Sequence, residues 1–378
     1  MRTSVLTSLS SIRTMVYVLL ICSVTASAQV PTLAVKPSST DSVAWYRVAD
    51  WGVEGQAWSD VARTYDRLPR RAEGIVRDKV WELSRQSAGM SCRFVTDAQE
   101  IRVRYALLGQ RIAMAHMPAT GVSGVDLYVH LDQAGWRWIA TSQPATQQVQ
   151  VTLIKEMTPG RRQYMLYLPL YNGIDSLEVG VPPGASFAAV APRREPPLVF
   201  YGTSIMHGAC ASRAGMAIPA ILGRRLDIPT INLGFSGNGK MEPELGTFLT
   251  EIDAAVYVID CLPNLTPLET AQRTVPLVRQ IRAARPETPI LLVEDRVFPN
   301  SVVLPGRAKG HTERQAALRA AYDSLLVEGV KGLHYLKGAD LLGDDGEATV
   351  DGSHPTDLGM KRYADAYEKA LRPILRLQ

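Results

Sequence analysis

Two stretches of this chain carry residue types that together can attack a carbonyl. One is Tyr201-Gly202-Thr203-Ser204-Ile205, a serine in a glycine-containing turn, and the other is Asp351-Gly352-Ser353-His354-Pro355, near the carboxyl end. A serine hydroxyl is a weak nucleophile until a base takes its proton, and a histidine serves as that base only when its tautomer and orientation are held. Asp351, on the same loop as His354, can accept from Nδ1–H and leave Nε2 for the serine. Each signal also has an ordinary reading: a serine after glycine commonly caps a helix, and Asp-Gly-Ser-His-Pro has the composition of a turn. Acyl transfer further needs donors aimed at the oxyanion. Asn232-Leu233-Gly234-Phe235-Ser236-Gly237-Asn238-Gly239 offers backbone N–H groups that can approach a ligand closely, and Asp260-Cys261-Leu262-Pro263-Asn264 offers the Asn264 side-chain amide.

These stretches need a frame that brings them together. Short apolar runs at residues 198–201, 230–233, 255–259, 290–293 and 333–336 alternate with helix-like spacing over 219–226, 268–284, 313–328 and 358–375. Repeated strand-then-helix order implies an α/β domain, a five-stranded parallel sheet with helices on both faces and ligands at the carboxyl ends of its strands. Ser204, the glycine stretch and Asn264 follow the first three strands, and His354 lies in the loop before the last helix. Before residue 192 the texture differs. Runs such as Ile101-Arg102-Val103-Arg104-Tyr105 alternate apolar and charged residues, and turn signals including Ala134-Gly135, Pro159-Gly160 and Asn172-Gly173 separate them. Many short strands at such spacing predict a β-sandwich over residues 29–191. The proline-rich stretch 192–197 predicts a linker, with the α/β domain at 198–378.

With these residues placed, the chain resembles the SGNH/GDSL hydrolase superfamily, whose four blocks supply serine, glycine, asparagine and histidine in that order. The resemblance implies a flavodoxin-like hydrolase domain with Ser204, His354 and Asp351 as catalytic residues. It implies an oxyanion hole from the N–H groups of Ser204 and Gly237 and the Asn264 amide, with Gly234 as the alternative glycine. Met117-Pro118-Ala119-Thr120-Gly121, Gly124-Val125-Asp126-Leu127-Tyr128 and Tyr167-Leu168-Pro169-Leu170-Tyr171-Asn172-Gly173 resemble the small jelly-roll-like β-domain that precedes the hydrolase in a two-domain (GxDLY-type) branch. Two motif positions depart from the family: Gly-Asp-Ser-Leu is Gly202-Thr203-Ser204-Ile205, and Asn-Asp is Asn264-Leu265. The activity implied is carboxylic ester hydrolysis on a small-molecule or polysaccharide ester, short acyl groups on carbohydrate being favoured over lipid or lysophospholipid acyl chains, with a catalytically inactive glycan-binding protein as the other alternative. No cofactor is implied. Asp126-Leu127-Tyr128 is expected to fix the sandwich or the boundary between the domains.

The rest of the chain narrows the class. Residues 1–28 place Arg2 and Arg13 before an apolar run and Ala26-Ser27-Ala28, the order of a cleavable export signal, with an N-terminal membrane anchor as the competing reading. Cleavage would remove two arginines and no acid, taking the net charge from +4 to +2, which suggests neither nucleic acid nor an anionic surface as a partner. No later run is long and apolar enough to span a bilayer. Cys210 and Cys261 follow the first and third strands and can meet as a disulfide or stay buried thiols; no cysteine or histidine spacing has the form of a zinc site. His207 and His311 are candidate substrate contacts, although a lone histidine is more often satisfied by its neighbours. Trp136 and Trp138 alternate on one strand, as a sugar platform or, more commonly, as core.

Overall fold

The computed structural model describes residue 1, residues 30–38 and residues 42–377, so the expected export signal lies, Met1 apart, outside the described residues. Thr32–Gln378 forms one compact unit. Its first part contains β1 (Thr32–Leu33), β2 (Ala44–Arg47), helix α1 (Asp78–Ser84), β3 (Ser91–Thr96), β4 (Ile101–Leu107), the single turn α2 (Ala119–Val122), β5 (Asp126–Leu131), β6 (Gly135–Thr141), β7 (Gln148–Ile154), β8 (Arg162–Tyr167), β9 (Ile174–Val181) and β10 (Phe187–Val190). These strands form two antiparallel sheets, in the orders β1-β10-β3-β8-β5-β6 and β2-β9-β4-β7. Between them lies an apolar core that includes Phe94, Val103, Leu127, Tyr164 and Val179. Alternation dictates this: β4 buries Ile101, Val103, Tyr105 and Leu107 and leaves Arg102 and Arg104 partly exposed.

The second part contains β11 (Leu198–Gly202), α3 (Ser204–His207), α4 (Ile218–Leu226), β12 (Thr230–Gly234), α5 (Pro243–Glu251), β13 (Val256–Asp260), α6 (Pro267–Ala284), β14 (Ile290–Val293), α7 (Pro305–Val327), β15 (Leu333–Leu336) and α8 (Asp357–Leu375). The five strands pair in parallel in the order β12-β11-β13-β14-β15. Strands covered on both faces read as continuous apolar runs, which is why each was visible in the sequence. The order reverses direction beside β11, so the loops after β11, β12 and β13 leave the sheet at a topological switch point. Helix α7 begins eight residues before the apolar spacing predicted at 313, because its first turns, which include Gly306 and Gly310, carry no apolar stripe.

The first part does not hang on a free linker. Trp58, Leu68, Val76, Val80 and Leu83 pack with Tyr201, Phe235 and Phe248 on one face of the parallel sheet, while Tyr128, Met165 and Tyr167 join the core on the other. The stretch 192–197 is itself pinned, since Arg193 pairs with Glu54 at 3.0 Å and with Asp227 at 2.9 Å. Among the described residues no helix is long and apolar enough to cross a membrane.

Candidate active site

β11 ends at Gly202, and the chain turns directly into α3. Thr203 caps this turn, its side-chain oxygen accepting from Ile205 N–H at 3.4 Å, so the threonine that departs from the family motif serves as a buried cap. Of the three residues, Thr203 and Ile205 are 0 % and 1 % exposed and Ser204 is 8 %, so the serine side chain is the one that reaches the surface. Its Oγ lies 2.9 Å from His354 Nε2, and His354 Nδ1 lies 2.7 Å from Asp351 Oδ2. The base loop is built locally: Asp351 Oδ1 accepts from Ser353 N–H at 2.9 Å and from His354 N–H at 2.8 Å, and Val350 N–H donates to the His354 carbonyl at 2.9 Å. Partial burial pushes the Asp351 carboxyl up, but the backbone and ring N–H groups of His354, its charge and Ser353 N–H outweigh that and hold it at about 2. An ionised Asp351 fixes the tautomer that leaves Nε2 free to accept the serine proton.

The register sets Gly202 beside Gly234 and Asp260, so the three loops start level. Asn264 ends a single 3-10 turn, Leu262–Asn264, just before the capping box of α6, in which Thr266 and Glu269 satisfy each other's backbone N–H groups. In the amide orientation that satisfies its neighbours, the Asn264 oxygen accepts from Asn238 N–H at 3.0 Å and Gly239 N–H at 3.2 Å, which leaves its NH₂ on the opposite side. Gly239 must be glycine, because a Cβ there would lie 1.9 Å from the Gly202 carbonyl oxygen. Gly237 has φ +69° and open space around it. Gly234, the alternative glycine, is committed elsewhere: its N–H donates to Asn232 Oδ1 at 2.9 Å and it packs against the backbone of α3. The serine thus stands on its base at the end of the sheet where the three loops begin.

One expected contact is corrected. His207 is fully buried beneath Ser204; its Nε2 bonds the Leu170 carbonyl at 2.7 Å, its ring stacks on Tyr171 at 4.2 Å, and burial together with Arg67 keeps it neutral. His311, on α7, packs against Phe298, is 7 % exposed and has its pKa lowered by burial. Cys92, Cys210 and Cys261 are buried free thiols, and the Cys261 thiol lies 3.7 Å from the Tyr201 carbonyl, so the possible Cys210–Cys261 bridge is not made. The two tryptophans of β6 differ: Trp138 is 46 % exposed and donates to Asp126 Oδ1 at 2.7 Å, while Trp136 is half-buried and packs against the apolar core beside a cavity near Arg224.

The three motifs of the first part all land on the segment that follows Ser204. Tyr171 Oη–H donates to the Ser204 carbonyl at 3.3 Å. Thr120 Oγ1–H donates to the Ser212 carbonyl. The buried Asp126 carboxylate accepts from Gly215 N–H and Arg213 Nη1, each at 2.8 Å, so this motif fixes the boundary as expected. Sequence reasoning missed three neighbours. Arg67 is wholly buried and donates to the carbonyls of Gln86, Leu83, Asn232 and Gly234 at 2.7–3.1 Å, with its pKa lowered by burial to about 9. His116 stands 5.7 Å from the His354 ring, and Arg296, paired with Asp295, bonds Ser353 Oγ. None of these has a local pattern that announces it.

Residues 195–372 match the GDSL-like lipase/acylhydrolase family model, and residues 43–187 match the model for the N-terminus of esterases of the SGNH hydrolase type. A protein described as a GDSL-like lipase from Bacteroides ovatus is 31 % identical, with a TM-score of 0.85 over 89 % of this chain and 99 % of that one. The chain belongs to the GDSL-like lipase/acylhydrolase family. More distant structures share the fold: salicylyl-acyltransferase SsfX3 from a tetracycline biosynthetic pathway, at 18 % identity and TM-score 0.67 over 91 % of this chain and 97 % of that one, and a family two carbohydrate esterase from Cellvibrio japonicus, at 13 % and 0.55 over 89 % and 98 %. No curated protein matches the sequence.

Proposed function

We propose that this family member is a serine esterase that removes short acyl groups, acetyl above all, from carbohydrate. The observation that carries the catalytic part is the chain of contacts from Ser204 Oγ to His354 Nε2 at 2.9 Å and from His354 Nδ1 to Asp351 at 2.7 Å. In this reading His354 takes the serine proton as Ser204 attacks the ester carbonyl, and the oxyanion is received by the N–H groups of Ser204 and Gly237 and the Asn264 amide. Collapse expels the alcohol, which takes the proton from His354. Water, activated by the same imidazole, then releases the acid. The carbohydrate assignment leans on the fold shared with family two carbohydrate esterases, including one from Clostridium thermocellum in complex with cellohexaose, at a TM-score of 0.52. Residues 1–28 support export, which would bring the enzyme to such a substrate.

A second reading, hydrolysis of longer or lipid acyl esters, is favoured by one feature. Val302 and Val303 are 86 % and 73 % exposed on the segment between β14 and α7, and Asn300 of that segment abuts Gly352 of the base loop. The test is turnover of p-nitrophenyl acetate, butyrate and octanoate and of acetylated xylan by the wild type and Ser204→Ala. Serine-dependent release favouring acetate, with acetate freed from xylan, supports the first reading. Preference for octanoate supports the second, and no serine-dependent turnover on any of them rejects both.

A further inference from the structure

His116, Cys210 and His354 come from three distant parts of the sequence, and a ligand atom of each lies within 4.8 Å of the others. This is why no spacing in the sequence suggested a metal site. We propose that these three residues bind a zinc ion at the mouth of the active site and that its binding switches the esterase off by occupying the base. The binding half of this inference rests on geometry alone; the inhibition half rests on the catalytic role proposed for His354.

Three features make the cluster a competent zinc site. A metal-binding imidazole needs its second nitrogen held by a carboxylate or carbonyl, and Asp351 does this to His354 at 2.7 Å, so the bond that prepares Nε2 as a base prepares it equally as a ligand. Cys210 is buried next to the base loop, its backbone N–H donating to the Pro355 carbonyl at 2.9 Å, which fixes the thiol's side of the cluster. His116 is exposed, and the loop leading to it is anchored by Asn172, whose side chain exchanges hydrogen bonds with Gly109 at 2.8 and 3.0 Å. Zinc–nitrogen and zinc–sulfur bonds of about 2.0–2.3 Å in a tetrahedron set ligand atoms roughly 3.3–3.7 Å apart. The cluster therefore has to contract by about 1 Å, and the exposed His116 is the member free to move inward.

Coordination costs the free enzyme two bonds to hydrogen. The Cys210 S–H proton passes to water as the thiolate binds the metal, and the Ser204 O–H···Nε2 bond breaks as the His354 lone pair turns to zinc. A water molecule completes the fourth position. Zinc binding and ester hydrolysis thus compete for one nitrogen atom.

The test uses the full chain with Co²⁺ as a spectroscopic probe and Zn²⁺ as inhibitor. Co²⁺ should produce a thiolate-to-metal charge-transfer band that Zn²⁺ displaces and that Cys210→Ala lacks. Zn²⁺ should inhibit hydrolysis of p-nitrophenyl acetate reversibly, EDTA restoring it. Both His116→Ala and Cys210→Ala should retain turnover without metal while raising the zinc concentration for half-inhibition at least about tenfold. His116→Ala, on an exposed loop, keeps the test decisive if the buried cysteine variant folds poorly. A charge-transfer band that is absent, or inhibition unchanged by His116→Ala, would overturn the proposal. If the protein shows no esterase activity, the band and its response to His116→Ala still decide metal binding, while the catalytic reading fails separately.

Discussion

The nucleophile and its base are held in opposite ways. Ser204 sits on a segment braced from outside: Arg67 binds the Asn232 and Gly234 carbonyls where β12 enters the glycine loop, Tyr171 binds the Ser204 carbonyl, and Asp126 binds Gly215 and Arg213, all from sequence far upstream. His354 sits on a loop that largely holds itself, through Asp351, Ser353 and Val350, with Arg296 and the Cys210 backbone N–H as outside supports. The carboxylates beneath the two differ in the same sense. Asp351, half-exposed and surrounded by N–H donors, is held at about 2, whereas Asp260, wholly buried at the end of β13, is pushed up to about 7 by burial and by Asp295, against the Tyr367 hydrogen bond and Arg296. The difference teaches that the precision of the nucleophile is a property of the whole chain, while that of the base is a property of a few adjacent residues.

The contrast can be broken at graded points. Replacing Ser204 by Ala should remove at least about 10⁴-fold of kcat, measured on p-nitrophenyl acetate, since nothing else in the cluster supplies a nucleophile. Asp351→Asn should cost about 10³–10⁴-fold, because the amide can present N–H to Nδ1 and favour the wrong tautomer, while thermal melting changes little. Asn264→Ala should cost roughly 10²–10³-fold in kcat with KM nearly unchanged, the mark of a donor used mainly in the transition state. Arg67→Met addresses the brace itself. It leaves four buried carbonyls short of a donor and should lower unfolding stability by about 3 kcal/mol or more in urea titrations, with activity falling as the glycine loop loosens.

The smallest effect concerns the two carboxylates. The Asp260 pKa is raised above its unfolded value, so its contribution to stability is fully present below about pH 4 and is lost as pH rises toward 7. Asp260→Asn, which still accepts from Tyr367, should remove that decline from the melting temperature measured between pH 4 and 8. Asp351 has the opposite sign: its contribution is present above about pH 4 and is lost as pH falls through 2. Asp351 should therefore stay ionised on mild acidification, so a fall in kcat/KM above about pH 4 should not be assigned to its protonation.

Much of the architecture could be read from the sequence because parallel strands buried on both faces are short apolar runs, and because β4 alternates apolar and charged residues. Asp351 and His354 were legible for the same reason that their loop holds itself: their relationship is local. Ser204 became legible through its place at the end of the first parallel strand, the order of the later blocks along successive strands supporting it. Arg67, His116 and Arg296 were not, since a buried arginine or a loop histidine acquires meaning only from contacts made far away in sequence. His207 failed as a substrate contact because one-dimensional proximity to the serine carries no information about which way a ring is buried.

The central claim is that Ser204, prepared by His354, forms the acyl-enzyme. Intact-protein mass spectrometry after treatment with a fluorophosphonate, followed by peptide mapping, tests it most directly. A single adduct on Ser204, lost in Ser204→Ala and strongly slowed in His354→Ala, is the result expected; hydrolysis that continues with Ser204 unlabelled, or labelling that maps to another serine, would contradict it.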